Sequence, residues 1–240
     1  MSSFFKFKQF LIQQDKSAMK IGTDAVLLGA WCSISHFPVK ILDIGSGTGI
    51  ISLMLAQRSD AETIDAIEID KNAFEQSVEN FEKSFWADRL YCYHCSFQEF
   101  VDEISLEEET YDLIVSNPPF YTDDSVTDNE SRNKARFTSS LSFEDLLLGV
   151  SRILSQNGFF SVIIPFKEEE NFVNIANENQ LFLTEVCRVQ GNLTSELKRS
   201  LLTFSFEKST IKASHLIIET ERHKYTQEYI NLTKDFYLKM

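Results

Sequence analysis

Four consecutive residues carry the most chemistry in the chain: Asn117, Pro118, Pro119 and Phe120. An asparagine amide offers one carbonyl acceptor and two donors. Pro119 has no N–H and a fixed φ, and it drives Pro118 towards extended backbone. The Pro118 carbonyl is therefore left without a ladder partner. Two acceptors, the Asn117 amide oxygen and the Pro118 carbonyl, suit the two hydrogens of a planar NH2 group, and Phe120 adds a face for stacking. An Asn-Pro turn ending a strand is the plainer reading, since that dipeptide starts many turns. The residues just before, Asp112-Leu113-Ile114-Val115, read as a buried strand. The tetrapeptide then sits at a strand's carboxyl end, where open α/β sheets bind ligands.

A second constellation lies upstream. Asp43-Ile44-Gly45-Ser46-Gly47-Thr48-Gly49 closes an apolar strand and opens a helix. Glycines there permit a tight turn and close approach of backbone N–H groups to a ligand. A dinucleotide fingerprint wants Gly or Ala three residues after Gly47, and that position is Ile50. The form D-x-G-x-G-x-G is instead typical of S-adenosyl-L-methionine sites. Glu68, ending the next strand, is placed to accept hydrogen bonds from both ribose hydroxyls. Asp70 reads more simply as the cap of the following helix. Ser96 and Phe97, ending the third strand, fall beside the adenine of such a cofactor. Thr23 and Asp24 are candidates to close over its methionine end, with Thr23 equally suited to capping a helix.

The elements needed to position these groups follow from periodicity. Phe5 to Ile12 alternates as an early strand, and Gly22-Thr23-Asp24 opens an apolar helix to Trp31. From Lys40 strands and helices alternate. Ser142 to Asp145 reads as a capping box for a helix running to about Gln156 and closed by Asn157-Gly158. Strands follow near 159–164, 181–189, 201–206 and 215–218, then a helix over 226–238. The expectation is an α/β doubly wound, mostly parallel, seven-stranded sheet in one domain, 1–240. Within it, 1–38 is an N-terminal extension, 39–210 the catalytic core, and 211–240 a C-terminal strand and helix.

Composition bounds the function. The 240 residues carry a net charge of −13, which argues against nucleic acid until its distribution is considered. Between Glu99 and Glu130 lie many acids and neither Lys nor Arg, and then Arg132, Lys134 and Arg136 come together. They are candidates for RNA phosphates, or for pairing with the acids before them. Cys92 and Cys95 have C-x2-C spacing, but on a strand their side chains leave by opposite faces. No second ligand pair exists, so no metal is expected. No apolar run reaches the ~20 residues of a membrane span, no leader is evident, and a cytoplasmic monomer is the simplest expectation. His36, His94, His215 and His223 show neither triad nor metal spacing.

Taken together, these motifs resemble the class I methyltransferases that modify amino groups and carry an N-P-P-[FYW] tetrapeptide. The chain is most similar to tRNA adenine-N6 methyltransferases that act on adenine-37 of a valine tRNA. The resemblance is carried by Phe7-Lys8-Gln9-Phe10, the stretch from Met19 to Trp31, Asn117 to Phe120, Arg132 to Arg136, Leu141-Ser142-Phe143, and the tail from Tyr225 to Leu238. It implies S-adenosyl-L-methionine as cofactor, tRNA as partner, and catalytic roles for Asn117, Pro118, Pro119 and Phe120. Ser96 departs from the family, where Asp is common. Guanine-N2 RNA and protein glutamine methyltransferases share the tetrapeptide and stand as alternatives, as does an inactive cofactor-binding subunit.

Overall fold

The computed structural model describes residues 4–17, 19–119 and 141–239. Phe120, Arg132, Lys134 and Arg136 therefore lie outside the described residues.

The chain begins with a hairpin. Strands β1 (Phe4–Lys6) and β2 (Leu11–Gln13) pair antiparallel, and a turn closed by Phe7 N–H on the Phe10 carbonyl (2.9 Å) divides the single strand expected there. Helix α1 (Thr23–Trp31) follows. Its N-cap is Gly22 with no side-chain hydrogen bond, so Thr23 is the first helical residue and not the cap. Every residue from Ala25 to Ala30 is buried, as expected of a helix without a polar face.

Strand–helix alternation then builds the main sheet: β3 (Lys40–Ile44), α2 (Ile50–Arg58), β4 (Thr63–Ile67), α3 (Lys71–Glu82), β5 (Leu90–Tyr93), α4 (Phe97–Leu106) and β6 (Tyr111–Ser116). Helix α5 (Phe143–Ile153) starts at Ser142, whose hydroxyl accepts from Asp145 N–H at 3.0 Å. It ends earlier than Asn157-Gly158 suggests, because β7 (Leu154–Pro165) begins at once. Next come a single 3-10 turn (Phe166–Glu168), α6 (Glu169–Glu178), β8 (Phe182–Asn192), β9 (Leu197–Ser205), β10 (Lys212–Glu221) and β11 (Lys224–Tyr225). Helix α7 (Gln227–Thr233) is capped by Thr226 and is shorter than its sequence pattern implied.

Among the described residues the sheet has nine strands in the order β11-β10-β8-β9-β7-β6-β3-β4-β5. The expected seven form the block from β8 to β5. β10 adds to it by pairing parallel with β8, and β11 pairs antiparallel with β10. Pairs β3–β4, β3–β6, β4–β5 and β6–β7 are parallel, whereas β9 lies antiparallel between β7 and β8. The chain runs outward from β3 through β4 to β5 and then returns to place β6 on the other side of β3, which makes the gap between β3 and β6 the switch point where α/β sheets hold ligands.

Alternation along the central strands sends side chains to both faces. Ile41, Leu113 and Val115 join one core with α1, α2, Phe81 of α3 and Tyr229 of α7. Leu42, Ile44 and Ile114 join the other with α4, α5 and α6. The first core also ties the two ends of the chain together. Lys8 N–H donates to the Phe236 carbonyl at 2.8 Å, and the Phe7 ring stacks on Tyr237 with centroids 5.8 Å apart. No helix among the described residues is long and apolar enough to cross a membrane.

Candidate active site

The carboxyl ends of the parallel strands surround a cavity of about 1920 Å³. Small-molecule clefts usually span ~300–1,000 Å³. This one has room for a nucleoside-sized cofactor and a second planar group beside it.

One half of the wall is the glycine turn after β3. Gly45, Gly47 and Gly49 have φ of 74°, 58° and 78°, a left-handed backbone that favours glycine. A methyl group added at Gly47 would meet nothing within 4 Å, because this residue faces the open cavity. At Gly49 it would lie 2.5 Å from the Phe81 ring. Gly45 and Gly47 line the cavity, while Gly49 caps α2 behind them.

Asp43 supports the turn from beneath. It is fully buried, and its Oδ2 accepts from Ser52 N–H (3.2 Å) and Ser52 Oγ–H (2.7 Å). Its Oδ1 has no partner among the described residues, and burial pushes its pKa up to about 6. Helix α3 clamps the same turn from the side. Ser77 Oγ–H donates to the Gly47 carbonyl (3.0 Å), and Asn80 Nδ2–H donates to the carbonyls of Thr48 (2.9 Å) and Gln13 (3.0 Å). Sequence reading missed Gln76, Ser77 and Asn80. They are buried polar residues on a core-facing stripe, and hydrophobic periodicity does not see them.

Glu68 joins the turn to the next strand end. Its Oε2 accepts from Gly47 N–H (2.8 Å) and its Oε1 from Asp70 N–H (2.9 Å). Each carboxylate oxygen has a second acceptor direction, so both can still take a hydroxyl. Asp70 caps α3 by accepting from Ala73 N–H at 2.9 Å. Ser96 and Phe97 line the cavity at the end of β5. Ser96 is also the N-cap of α4 in a full capping box with Glu99, which occupies its hydroxyl. Cys92 packs behind the turn with Sγ 3.8 Å from Ser46 Oγ, and burial raises its thiol to about 12. Among the described residues no His, Cys, Asp and Glu cluster could hold a metal ion.

The other half of the wall follows β6. Ser116 is anchored by donating Oγ–H to the Ile44 carbonyl at 3.1 Å, which ties the end of β6 to β3. Beyond it Asn117, Pro118 and Pro119 line the cavity. Neither the Asn117 side chain nor the Pro118 carbonyl takes a hydrogen bond among the described residues. The structure thus brings Gly45, Gly47, Glu68, Ser96, Phe97 and Asn117 around one space. Thr23 is not part of this wall; its neighbours Gly22 and Asp24 are. Asp24 binds Arg199 of β9 (Nε to Oδ2, 2.7 Å), joining the start of α1 to the opposite side of the mouth. That opposite side, with Pro165 to Lys167 at the end of β7 and Glu196 to Arg199 at the start of β9, was not anticipated. The strand-end rule applied to β7 would have found Phe166. The β9 residues come from an antiparallel strand whose place in the sheet no local pattern reveals.

The donor set fits a sulfonium nucleoside: an open glycine turn, a carboxylate at ribose height, and an apolar ring at the third strand end. Known proteins agree at the level of class. Residues 22–135 match the methyltransferase small domain. A predicted O-methyltransferase from Agrobacterium tumefaciens shares the fold at TM-score 0.66 and 19% identity, over 89% of this chain and 96% of that one. A methyltransferase crystallised with S-adenosylhomocysteine aligns at TM-score 0.53 and 16% identity, over 74% of this chain and 47% of that one. The fold is the Rossmann-like α/β fold of these methyltransferases, and the family model matches within it.

A finer match comes from sequence. The tRNA1(Val) (adenine(37)-N6)-methyltransferase of Flavobacterium psychrophilum is 58% identical over 98% of this chain and 100% of its own length. The chain belongs to that tRNA1(Val) (adenine(37)-N6)-methyltransferase family.

Proposed function

We propose that the chain transfers a methyl group from S-adenosyl-L-methionine to the exocyclic N6 amine of adenine-37 in a valine tRNA. The observation that carries this is one cavity with two unlike halves: a bonded glycine turn with Glu68, and an Asn117-Pro118 pair whose oxygens have no partner among the described residues. The name and near-complete coverage of the relative give the substrate.

In this reading Gly45 and Gly47 hold the methionine side of the cofactor through their backbone. Glu68 takes the ribose hydroxyls, and Ser96 and Phe97 flank its adenine. Asp24, fixed by Arg199, stands at the mouth with Thr23 behind it. When bound, the cofactor supplies an electrophilic methyl carbon on a sulfonium and keeps the electron pair of the broken C–S bond.

The amine of adenine is a weak nucleophile because its lone pair is delocalised into the ring. The Asn117 amide oxygen and the Pro118 carbonyl each accept one N6 hydrogen and draw the nitrogen towards tetrahedral geometry. Its lone pair is then free to form the N–C bond. The two carbonyl dipoles stabilise the positive charge that develops on nitrogen, and the surplus proton leaves to water. Holding the amine in place supplies much of the rate, since positioning alone contributes several kcal/mol. Pro119 fixes the backbone that aims the Pro118 carbonyl, and Phe120 supplies the stacking face for the turned-out base. Arg132, Lys134 and Arg136 are assigned to RNA phosphates. The chain acts as a monomer in the cytoplasm, as one domain.

The test is nucleoside analysis of unmodified valine tRNA after incubation with the protein and labelled S-adenosyl-L-methionine. Label in N6-methyladenosine is expected. Label in N2-methylguanosine, or only in a glutamine-containing peptide offered beside the tRNA, would replace this reading.

A further inference from the structure

The far wall of the cavity carries Lys167, Lys198 and Arg199 with the acid Glu196 and the aromatic Phe166, a local excess of cations on a molecule of net charge −13. Lys167 follows β7, and Lys198 lies near the start of β9 beside Arg199. Both lysines are exposed. Lys167 has one carboxylate near, that of its chain neighbour Glu168 at 3.9 Å, and Lys198 has none within ion-pair distance among the described residues. Arg199 differs, since Asp24 already holds it.

Phe166, the chain neighbour of Lys167, lines the same wall. The residue is 36% exposed, and the Arg188 guanidinium lies 6.0 Å from its ring centroid. Arg188 is itself clamped by Glu169, with Nη2 to Oε1 at 2.6 Å, and Ser200 Oγ–H donates to the same carboxylate. The aromatic face is thus carried on a rigid, bonded support and not on a loose loop.

We infer that Phe166, Lys167 and Lys198 form a second RNA-binding wall, on which a loop base next to the target stacks on Phe166 while the two lysines take the flanking phosphates. The inference rests on the proposed tRNA substrate and names which part of this chain grips it. Exposed aromatic rings interleaved with cations are what single-stranded RNA requires, a π-face for a base and ammonium groups for its backbone. The wall adjoins Asn117 and Pro118, because β7 pairs with β6 and their carboxyl ends lie side by side, so a base reaching Asn117 brings its neighbours past it.

The experiment is tRNA binding by fluorescence anisotropy at several salt concentrations, using the full chain saturated with S-adenosylhomocysteine. Each phosphate contact on a single strand contributes about 0.7 to the salt slope, or about fivefold in affinity near 0.1 M salt. Lys167→Ala with Lys198→Ala is expected to weaken binding about 25-fold and flatten the slope by about 1.4. Phe166→Ala is expected to weaken it about tenfold with the slope unchanged, because stacking releases no counterions. Lys212→Ala, exposed on β10 away from the cavity, serves as the charge control and should match the wild type. An S-adenosylhomocysteine affinity equal to wild type certifies that each variant is folded; where one fails this, Lys167→Gln with Lys198→Gln and Phe166→Leu replace it.

Wild-type protein that methylates the tRNA, with variants of unchanged affinity and slope, overturns this inference alone. Wild-type protein that neither binds nor methylates tRNA overturns the proposed function and the wall together.

Discussion

The two halves of the cavity are built differently. Around the glycine turn nearly every polar group is already bonded: Glu68 to Gly47 and Asp70, Ser77 to Gly47, Asn80 to Thr48, Asp43 to Ser52. At the end of β6, beyond Ser116, neither the Asn117 side chain nor the Pro118 carbonyl is bonded among the described residues, and both residues line the cavity. The difference teaches how one sheet edge divides labour. A cofactor site must exist before the ligand arrives, so the protein supplies its order. On the proposed reading, the amine site leaves both lone pairs of its acceptors to the substrate.

Breaking the ordered half should cost stability first. Gly49→Ala combines a φ of 78° with a 2.5 Å approach to Phe81. It is expected to destabilise by about 3–4 kcal/mol, from left-handed strain and overpacking together. Gly47→Ala has the strain without the clash and should cost about 1–2 kcal/mol. Urea unfolding of the two variants checks the ordering; equal losses would remove Phe81 from the account.

Breaking the open half should leave stability alone. Asn117→Ala is expected to lower kcat/KM about 100-fold, the scale for losing one preorganised dipole. The unfolding midpoint and S-adenosylhomocysteine affinity should stay near wild type. Near-normal turnover in steady-state assays with labelled cofactor would take Asn117 out of the reaction.

The buried carboxylate beneath the turn gives a pH signature. Asp43 has a folded pKa near 6 against an ordinary value of 3.8, through burial. Between those values the native state holds a proton that the unfolded chain has lost, so stability falls as pH rises through the window. From pH 4.5 to 7.5 this amounts to about 2 kcal/mol. Asp43→Asn is expected to remove that much of the slope, measured as the difference between variant and wild-type unfolding curves at the two pH values. A slope unchanged by the substitution would mean that the carboxylate is solvated in solution.

The smallest effect sharpens the boundary between the halves. Ser96→Ala should cost about 1 kcal/mol through loss of the cap on α4. If Ser96 also touches the cofactor, calorimetry will show weaker S-adenosylhomocysteine binding; if it only caps, the affinity will hold.

What could be read from residues alone divides along similar lines. Local chemistry was legible: the D-x-G-x-G-x-G turn lies at the end of β3, Asp70 and Ser142 cap their helices, and Asn117 follows β6. Those signals need only a few neighbours in sequence. Asn157-Gly158 misled because a helix terminus and a strand interior can share that dipeptide, and the pairing of Leu154 with Tyr111 in a neighbouring strand decided the matter. The hairpin at Phe7 was hidden by alternation that continues through its turn. The placement of β9 between β7 and β8, and with it the Lys198 side of the cavity, depends on contacts far apart in the chain.

The stitching of the first hairpin to the C-terminal segment sets a timetable for the newborn chain. The hairpin is held by Phe236 and Tyr237, while the segment that leads from it to the cavity rim is tied to α3 through Lys16, Gln76 and Glu79. During synthesis the parallel strands and their glycine turn can assemble while the ribosome is still at work. The hairpin's contacts to Phe236 and Tyr237 can form only once those residues have been made, so this seam closes after the sheet.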